Sequence, residues 1–376
     1  MRTTLALLAL SLTAAASAQC TGDWSSVGEG GPPPRQNHGM VYDAQRGVVV
    51  LFGGYRGGFG FYDDTWEWDG LNWAQVTTTG PSARGNFAMA YDTARNKTVL
   101  FGGAGPGGAY LGDTWEYDGP TQTWTEVFPS TFPTARYNAA MAFDAARGVA
   151  VMFGGYSGVR EGDTWTWDGV NWAQVATTGC TPRNGHAMAF DDARDVVVLF
   201  GGFNGARLGD TWEWNGTAWS QRSTTGPSGR QYLGLAYNPA TQRTVIYGGQ
   251  TGSCSLCRED DTWSWDGTAW TLLGDGQASL RDQHAMVYDA ARGHLTFFGG
   301  YAGNGLVLDD TWIWRTTLTG DLDGDGAVGL ADLAVLLSHF GTPSGAGAAD
   351  GDMDGDTDVD LQDLATLLGV FGATCP

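Results

Sequence analysis

The chain has 376 residues and a formal net charge of −21, with 41 acidic against 20 basic side chains and 59 glycines. That balance excludes a nucleic-acid binder, which needs basic surface to neutralise phosphates. No segment after the N-terminus approaches the run of about 18 apolar residues that a spanning helix requires, and glycine at this density belongs to a protein built of turns.

In chain order, residues 1–18 read as a secretory signal: Arg2, an apolar stretch from Leu5 to Leu12, then Ala16-Ser17-Ala18 before Gln19. Gln19 ahead of Cys20 is unlike a lipid-attachment box, so the expected product is secreted and soluble. Residues 23–28, with Trp24, read as a lone strand. A periodic region follows. Six times, at intervals of 47 to 52 residues, an apolar run ends in a glycine pair, from Gly53-Gly54 to Gly299-Gly300, and Asp-Thr-Trp comes after it, with tryptophans at 66, 115, 165, 212, 263 and 312. A period near 50 marks a radial or linear array.

Each unit reads as four short strands. In the first, His38 to Tyr42, the turn 43–47, and Val48 to Phe52 are followed by a variable loop, alternating Asp64-Thr65-Trp66-Glu67-Trp68, Asp69-Gly70 and a strand with Trp73. Asp-Gly or Asn-Gly between two such runs is a hairpin signal, because the turn needs positive φ. Four antiparallel strands per unit make a propeller blade. The glycine pair and the tryptophans of the third and fourth strands resemble the kelch repeat, whose members include propellers such as galactose oxidase. The resemblance covers residues 23 to about 315 and implies a six-bladed β-propeller.

Five units end in a tryptophan that precedes an arginine by 11 or 12 residues: Trp73/Arg84, Trp124/Arg136, Trp172/Arg183, Trp219/Arg230 and Trp270/Arg281. The sixth stops at Trp314-Arg315, and its missing partner stands at the other end of the chain, where Trp24 precedes Arg35 by 11 residues. The N-terminal strand is therefore expected to complete the sixth blade and remove an exposed edge. The domains expected are a signal at 1–18, an all-β propeller at 19–317 and a small helical module at 318–376.

The loops between second and third strands vary in length and open, with the blade-to-blade links, on one face; variable loops on a rigid scaffold are the expected home of binding. The same face should carry Arg35, Arg84, Arg136, Arg183, Arg230 and Arg281, one per blade. Such a ring suits a carboxylate or sulfate, as on an acidic glycan; alternatively each arginine caps carbonyls or pairs with an aspartate of a neighbouring blade. Tyr55, Tyr156, Phe203 and Tyr301 head these loops and offer faces for a sugar ring. His38, His186 and His284 each follow a ring arginine by three residues, which raises a metal site against structural hydrogen bonding. The reading preferred is a non-catalytic scaffold for a glycan or protein ligand. The alternative is a carbohydrate-active enzyme with its carboxylates in the loops, for example Glu161 with Asp163 or Glu259 with Asp260. Cys254 and Cys257 suit a loop-stiffening disulfide; Cys20, Cys180 and Cys375 leave an odd thiol.

The last 59 residues hold eleven aspartates and no lysine or arginine. Asp321, Asp323, Asp325 and Asp332 stand at positions 1, 3, 5 and 12 of a loop in which Ala327 offers the position-7 carbonyl; Asp352, Asp354, Asp356, Asp360 and Asp363 stand at 1, 3, 5, 9 and 12 of a second, with Asp358 at 7. Alternate residues of a tight loop turn oxygens inward, and this is the EF-hand spacing for calcium, two ions in all. Thr357 replaces glycine at position 6 of the second loop. Each loop leads into an apolar-periodic helix ending in Phe340-Gly341 or Phe371-Gly372. Loop then helix, duplicated, resembles a type I dockerin. That resemblance implies calcium binding and attachment to a cohesin-like or cell-surface partner, although Leu330-Ala331 and Leu361-Gln362 replace the Ser-Thr common in cohesin-recognising members.

Overall fold

A computed structural model describes residues 20–27, 30–77, 79–254, 257–318, 320–322, 328–347, 350–353 and 356–373. The signal segment 1–18 lies outside them. The chain divides into one unit of Asp23–Arg315 and a second that includes Thr316–Pro376.

The described strands form six four-stranded sheets, the blades of a propeller. In the first, Gly39–Asp43, Val48–Phe52, Thr65–Trp68 and Trp73–Thr77 pair antiparallel, with Asp43 opposite Val48, Phe52 opposite Thr65 and Trp68 opposite Trp73. The second strands are buried on both faces between adjacent blades; Val49, Val50, Leu51 and Phe52 are fully buried, as are Val197 to Phe200. That explains why they read as unbroken apolar runs while the third strands alternate.

The sixth sheet contains Ala285–Asp289, His294–Gly303 and Leu306–Leu318, and its outermost strand is Cys20–Ser26 from the front of the chain. Trp24 Nε1 donates to Thr262 Oγ1 at 2.8 Å. Every other outer-strand tryptophan does the same to the Asp-Thr-Trp threonine of the preceding blade: Trp73 to Thr311, Trp124 to Thr65, Trp172 to Thr114, Trp219 to Thr164 and Trp270 to Thr211. Trp24 thus fills the fourth-strand role that Trp314-Arg315 leaves open.

In the second unit, α1 (Leu330–His339) and α2 (Leu361–Gly369) pack around Val328, Leu336, Val359 and Leu367. The two copies are tied reciprocally: Gly341 N donates to the Val359 carbonyl at 2.8 Å, and Gly372 N to the Val328 carbonyl at 2.8 Å. No described helix is long and apolar enough to cross a membrane. Cys254 and Cys257 are disulfide-bonded, and Cys180 is buried and free, its thiol pushed up to about 12 by burial. Cys375 and the Cys20 side chain lie outside what is described.

Candidate functional site

The six arginines do not face a ligand. Arg35, Arg84, Arg136, Arg183, Arg230 and Arg281 are at most 2% exposed. Each forms a two-pronged ion pair with the aspartate of its own repeat's Asp-Thr-Trp, namely Asp64, Asp113, Asp163, Asp210, Asp261 and Asp310, rather than with a neighbouring blade's. Each also donates to the carbonyl of its repeat's first paired glycine. Meanwhile the arginine's own carbonyl accepts from the second glycine of the preceding blade, as Gly54 N to Arg84 at 2.9 Å. The arginine is a clip between blades. Gly53 has φ 62°, and a Cβ there would meet the Arg84 carbonyl oxygen at 2.7 Å, so the position needs glycine on both counts. The Asp-Thr-Trp tryptophans complete the motif, each Nε1 donating back to its own aspartate, as Trp212 to Asp210 at 2.7 Å.

Two residues beyond each clip lies a belt that sequence reasoning missed. Asn37, Asn86, Asn138, Gly185, Tyr232 and Gln283 have φ between 56° and 66°. Their N–H groups donate in sequence around the axis, each to the belt carbonyl of the preceding blade at 2.7–2.9 Å, and the ring closes from Asn37 to Gln283. The available signal was three asparagines and a glycine, the residues most tolerant of left-handed backbone, at one fixed offset from arginine. The residues just before the belt form two-way bridges with the loop heads: Gln36 with Tyr55, Tyr137 with Tyr156, Asn184 with Phe203 and Asp282 with Tyr301. The four aromatic residues expected to meet a ligand are therefore half-buried and rigidly held around the axial mouth.

A cavity of about 110 Å³ at the mouth is lined by belt residues and by His38, His186 and His284. Deeper, one of about 190 Å³ is collared by Met40, Met89, Met141, Met188, Met286 and Leu235, one from each inner strand. The histidines do not come together as a metal site; among the described residues the one group of carboxylate, imidazole or thiolate donors close enough is in the tail. Backbone hydrogen bonds with Phe298 and Phe153 contribute at His38 and His186, in line with the structural role, whereas both ring nitrogens of His284 are buried without a partner. They also pack as seam fillers, where Phe87 and Leu233 stand in other blades; His186 packs edge-on against Phe153. Burial, helped by Arg183 and Arg281 respectively, pulls His186 and His284 down to about 3.

Such a lowered value means that the unfolded chain takes up protons first, so stability from these sites is full above pH ~6.5 and declines toward pH 3. His284→Leu should stabilise the propeller at pH 7 by roughly 1 kcal/mol, since its buried ring nitrogens have no partner. Its advantage over the parent should widen as pH falls below 6.5, followed by melting temperature across pH 4 to 8. A variant less stable than the parent would mean that the imidazole has a partner.

Of the carboxylates offered for catalysis, Asp260 is raised above the usual range by burial, whereas Asp163 is tied into a clip. Burial alone would raise Asp163, but the Arg136 guanidinium and Trp165 hold it below the usual carboxylate range. Glu161 accepts from Ser157. A carboxyl that sequence reasoning passed over is Asp282, fully buried and pushed up to about 6 by that burial despite Arg258 at 3.2 Å.

In the tail, Asp323, Asp325, Ala327 and Asp354 lie outside the described residues. The position-12 carboxylates close their loops identically: Asp332 accepts from Leu322 N and Gly329 N, both at 2.6 Å, and Asp363 from Met353 N and Asp360 N, both at 2.7 Å. Carboxylate oxygens of Asp358, Asp360 and Asp363 lie within 4.8 Å of one another. The donor set is all oxygen, which fits calcium. Asp352 and Asp356 accept from Thr357 N and Asp358 N within the loop, both at 3.1 Å. Thr357 has φ 76°, a conformation that glycine takes freely and a β-branched residue does not.

A family model described as KLHDC2/KLHL20/DRC7 Kelch-repeats domain matches residues 17–182, which span the first three blades. No curated protein matches the chain. Among solved structures, "Structure of YjhT" superposes with a TM-score of 0.60 at 14% identity, covering 77% of this chain and 97% of that one. At that identity the likeness concerns the fold alone, and a scaffold with 749 matching chains does not choose a function by itself. The periodic region is a six-bladed β-propeller, and its first three blades lie within the match to that kelch-repeat model.

Proposed function

We propose that this kelch-repeat propeller is the binding part of a secreted, non-catalytic protein, taking a glycan or protein ligand on the face around the axial mouth. The observation that carries the reading is the rim itself: half-buried aromatic residues, set by backbone bridges, around a mouth lined with amides and neutral imidazoles. Fixed aromatic faces beside neutral donors and acceptors suit recognition, and kelch propellers commonly mediate interactions. The dockerin-like tail attaches the protein, in a calcium-dependent manner, to a surface or complex. Supporting that role, Leu330 and Leu361, Leu337 and Leu368, and Phe340 and Phe371 are exposed at matching positions of the two copies.

A glycan array paired with a reducing-sugar release assay tests the propeller. Binding without turnover is the expected result; turnover abolished by Asp282→Asn would establish the carbohydrate-active alternative. Calorimetry with calcium should show two sites per chain, and Asp321→Ala should leave one. A chain that takes up no calcium would refute the tail reading.

A further inference from the structure

Building on the proposed binding face, we infer that the rim over the third and fourth blades is a site for the carboxylate of a uronic-acid residue in a glycan, with Arg160 and Arg207 as its anion-binding groups. In a chain with twice as many acidic as basic side chains, an arginine without a carboxylate is out of place. Six arginines are the clips. Five more, Arg46, Arg95, Arg147, Arg194 and Arg292, pair with the aspartate three residues earlier. Arg258 pairs with Asp282. Arg160, by contrast, makes no side-chain hydrogen bond or ion pair with any described residue, and its Nε is buried without a partner. Arg207 donates only to uncharged oxygens, Gln250 Oε1 at 3.1 Å and the Gly252 carbonyl at 2.7 Å, and its Nε is likewise unpartnered.

Both guanidiniums converge on one ring. Arg160 lies 4.7 Å and Arg207 5.9 Å from the centre of Phe203, which fixes their planes while leaving their charge unanswered. Beside them stand Tyr137, edge-on to Tyr156 at 5.6 Å, and the Tyr232 hydroxyl, which accepts from Asn138 at 3.2 Å. Burial raises both phenols, so they remain protonated donors.

Carboxylate suits the planar guanidinium forks better than a point-like anion does, and a net charge of −21 disfavours densely sulfated polymers. A sugar fits better than a peptide. An extended peptide would need main-chain groups to pair with, and here those groups are taken by the Tyr137–Tyr156, Tyr156–Arg160 and Phe203–Arg207 bridges. What the rim presents is aromatic faces, phenols and amides, which match pyranose C–H faces and hydroxyls.

The test is calorimetry on the full mature chain with trigalacturonate, its methyl ester and neutral galactotriose. Trigalacturonate should bind, the ester about tenfold or more weaker, and Arg160→Gln and Arg207→Gln should each weaken the acid to a similar degree. The melting temperature of Arg160→Gln should be unchanged, since its guanidinium bonds nothing, and Arg56→Gln on the first blade should bind as the parent does. Equal binding of acid and ester, or an Arg160→Gln variant that matches the parent, overturns the site. If galactotriose then still binds, the glycan face survives without its carboxylate pocket; if none of the three saccharides binds, both fail.

Discussion

Trp24→Ala should destabilise the propeller by about 3–5 kcal/mol, the cost of emptying a buried indole site, and should also loosen the ring. Trp24 is 3% exposed, with its ring centre 4.5 Å from that of Phe297, 5.1 Å from Tyr247 and 5.4 Å from Trp314. Its Nε1 is what satisfies Thr262 Oγ1. Trp172 occupies the same position in the third blade, at 1% exposure, but its strand is joined to its sheet by a hairpin. Trp24 sits on a strand that no hairpin joins to its sheet. Trp172→Ala should therefore lower the denaturation midpoint comparably without exposing an edge. Trp24→Ala should in addition become sensitive to proteolysis near residue 24 and prone to association, because a released strand uncovers the unpaired edge of Leu306–Leu318. A loss below about 1 kcal/mol, or the same protease sensitivity in both variants, would remove the latch.

Breaking one clip should cost about as much. Arg183→Met is expected to lose about 3–5 kcal/mol, because it strands a carboxylate held within the blade without its counter-charge. Arg183 is fully buried and reaches Asp210 at 2.7 and 2.8 Å, the Gly201 carbonyl at 2.9 Å and the Thr181 hydroxyl at 2.6 Å. Arg183→Lys should recover little, since an ammonium cannot span these acceptors in one plane. Arg183→Met combined with Asp210→Asn should recover part of the loss, as no bare charge remains.

The clips also set an acid limit. Burial would raise Asp113, Asp163, Asp210 and Asp310, but their arginines and tryptophans win and hold all four below the usual range. A depressed folded value contributes stability that is present above the unfolded value, near pH 4, and is lost as pH falls below it. Unfolding should steepen below pH ~4, and Asp210→Asn should remove its share of that slope. Denaturant midpoints from pH 3 to 7 measure both variants; an Arg183→Met midpoint within about 1 kcal/mol of the parent would show that the clip is not structural.

Much of this architecture was legible before any coordinates. The glycine pairs, Asp-Gly turns and apolar second strands are local requirements, of positive φ or two-sided burial, and each shows in a few consecutive residues. The strand that completes the sixth blade was readable as a missing tryptophan matched by a spare one. The arginines were legible in position and, as carbonyl caps paired with an aspartate, in one of the two roles offered; what was misplaced is the partner, which belongs to the same repeat. Nothing local distinguishes a guanidinium that faces solvent from one folded back on an aspartate of its own repeat 27 to 31 residues away. The histidines were legible only as candidates, because burial is a property of the surroundings.

By itself, then, the order of residues determined the repeat, the number of blades, the partner of the orphan strand and the spacing of acidic groups in the tail. These depend on turn stereochemistry and hydrophobic period, which act over a few residues. Only the tertiary structure decided which charges are spent and which are spare, since pairing joins side chains from separate turns of the ring. Arg35 and Arg160 are alike as residues; one is sealed against Asp64 and the other lies over Phe203 with no anion to answer it.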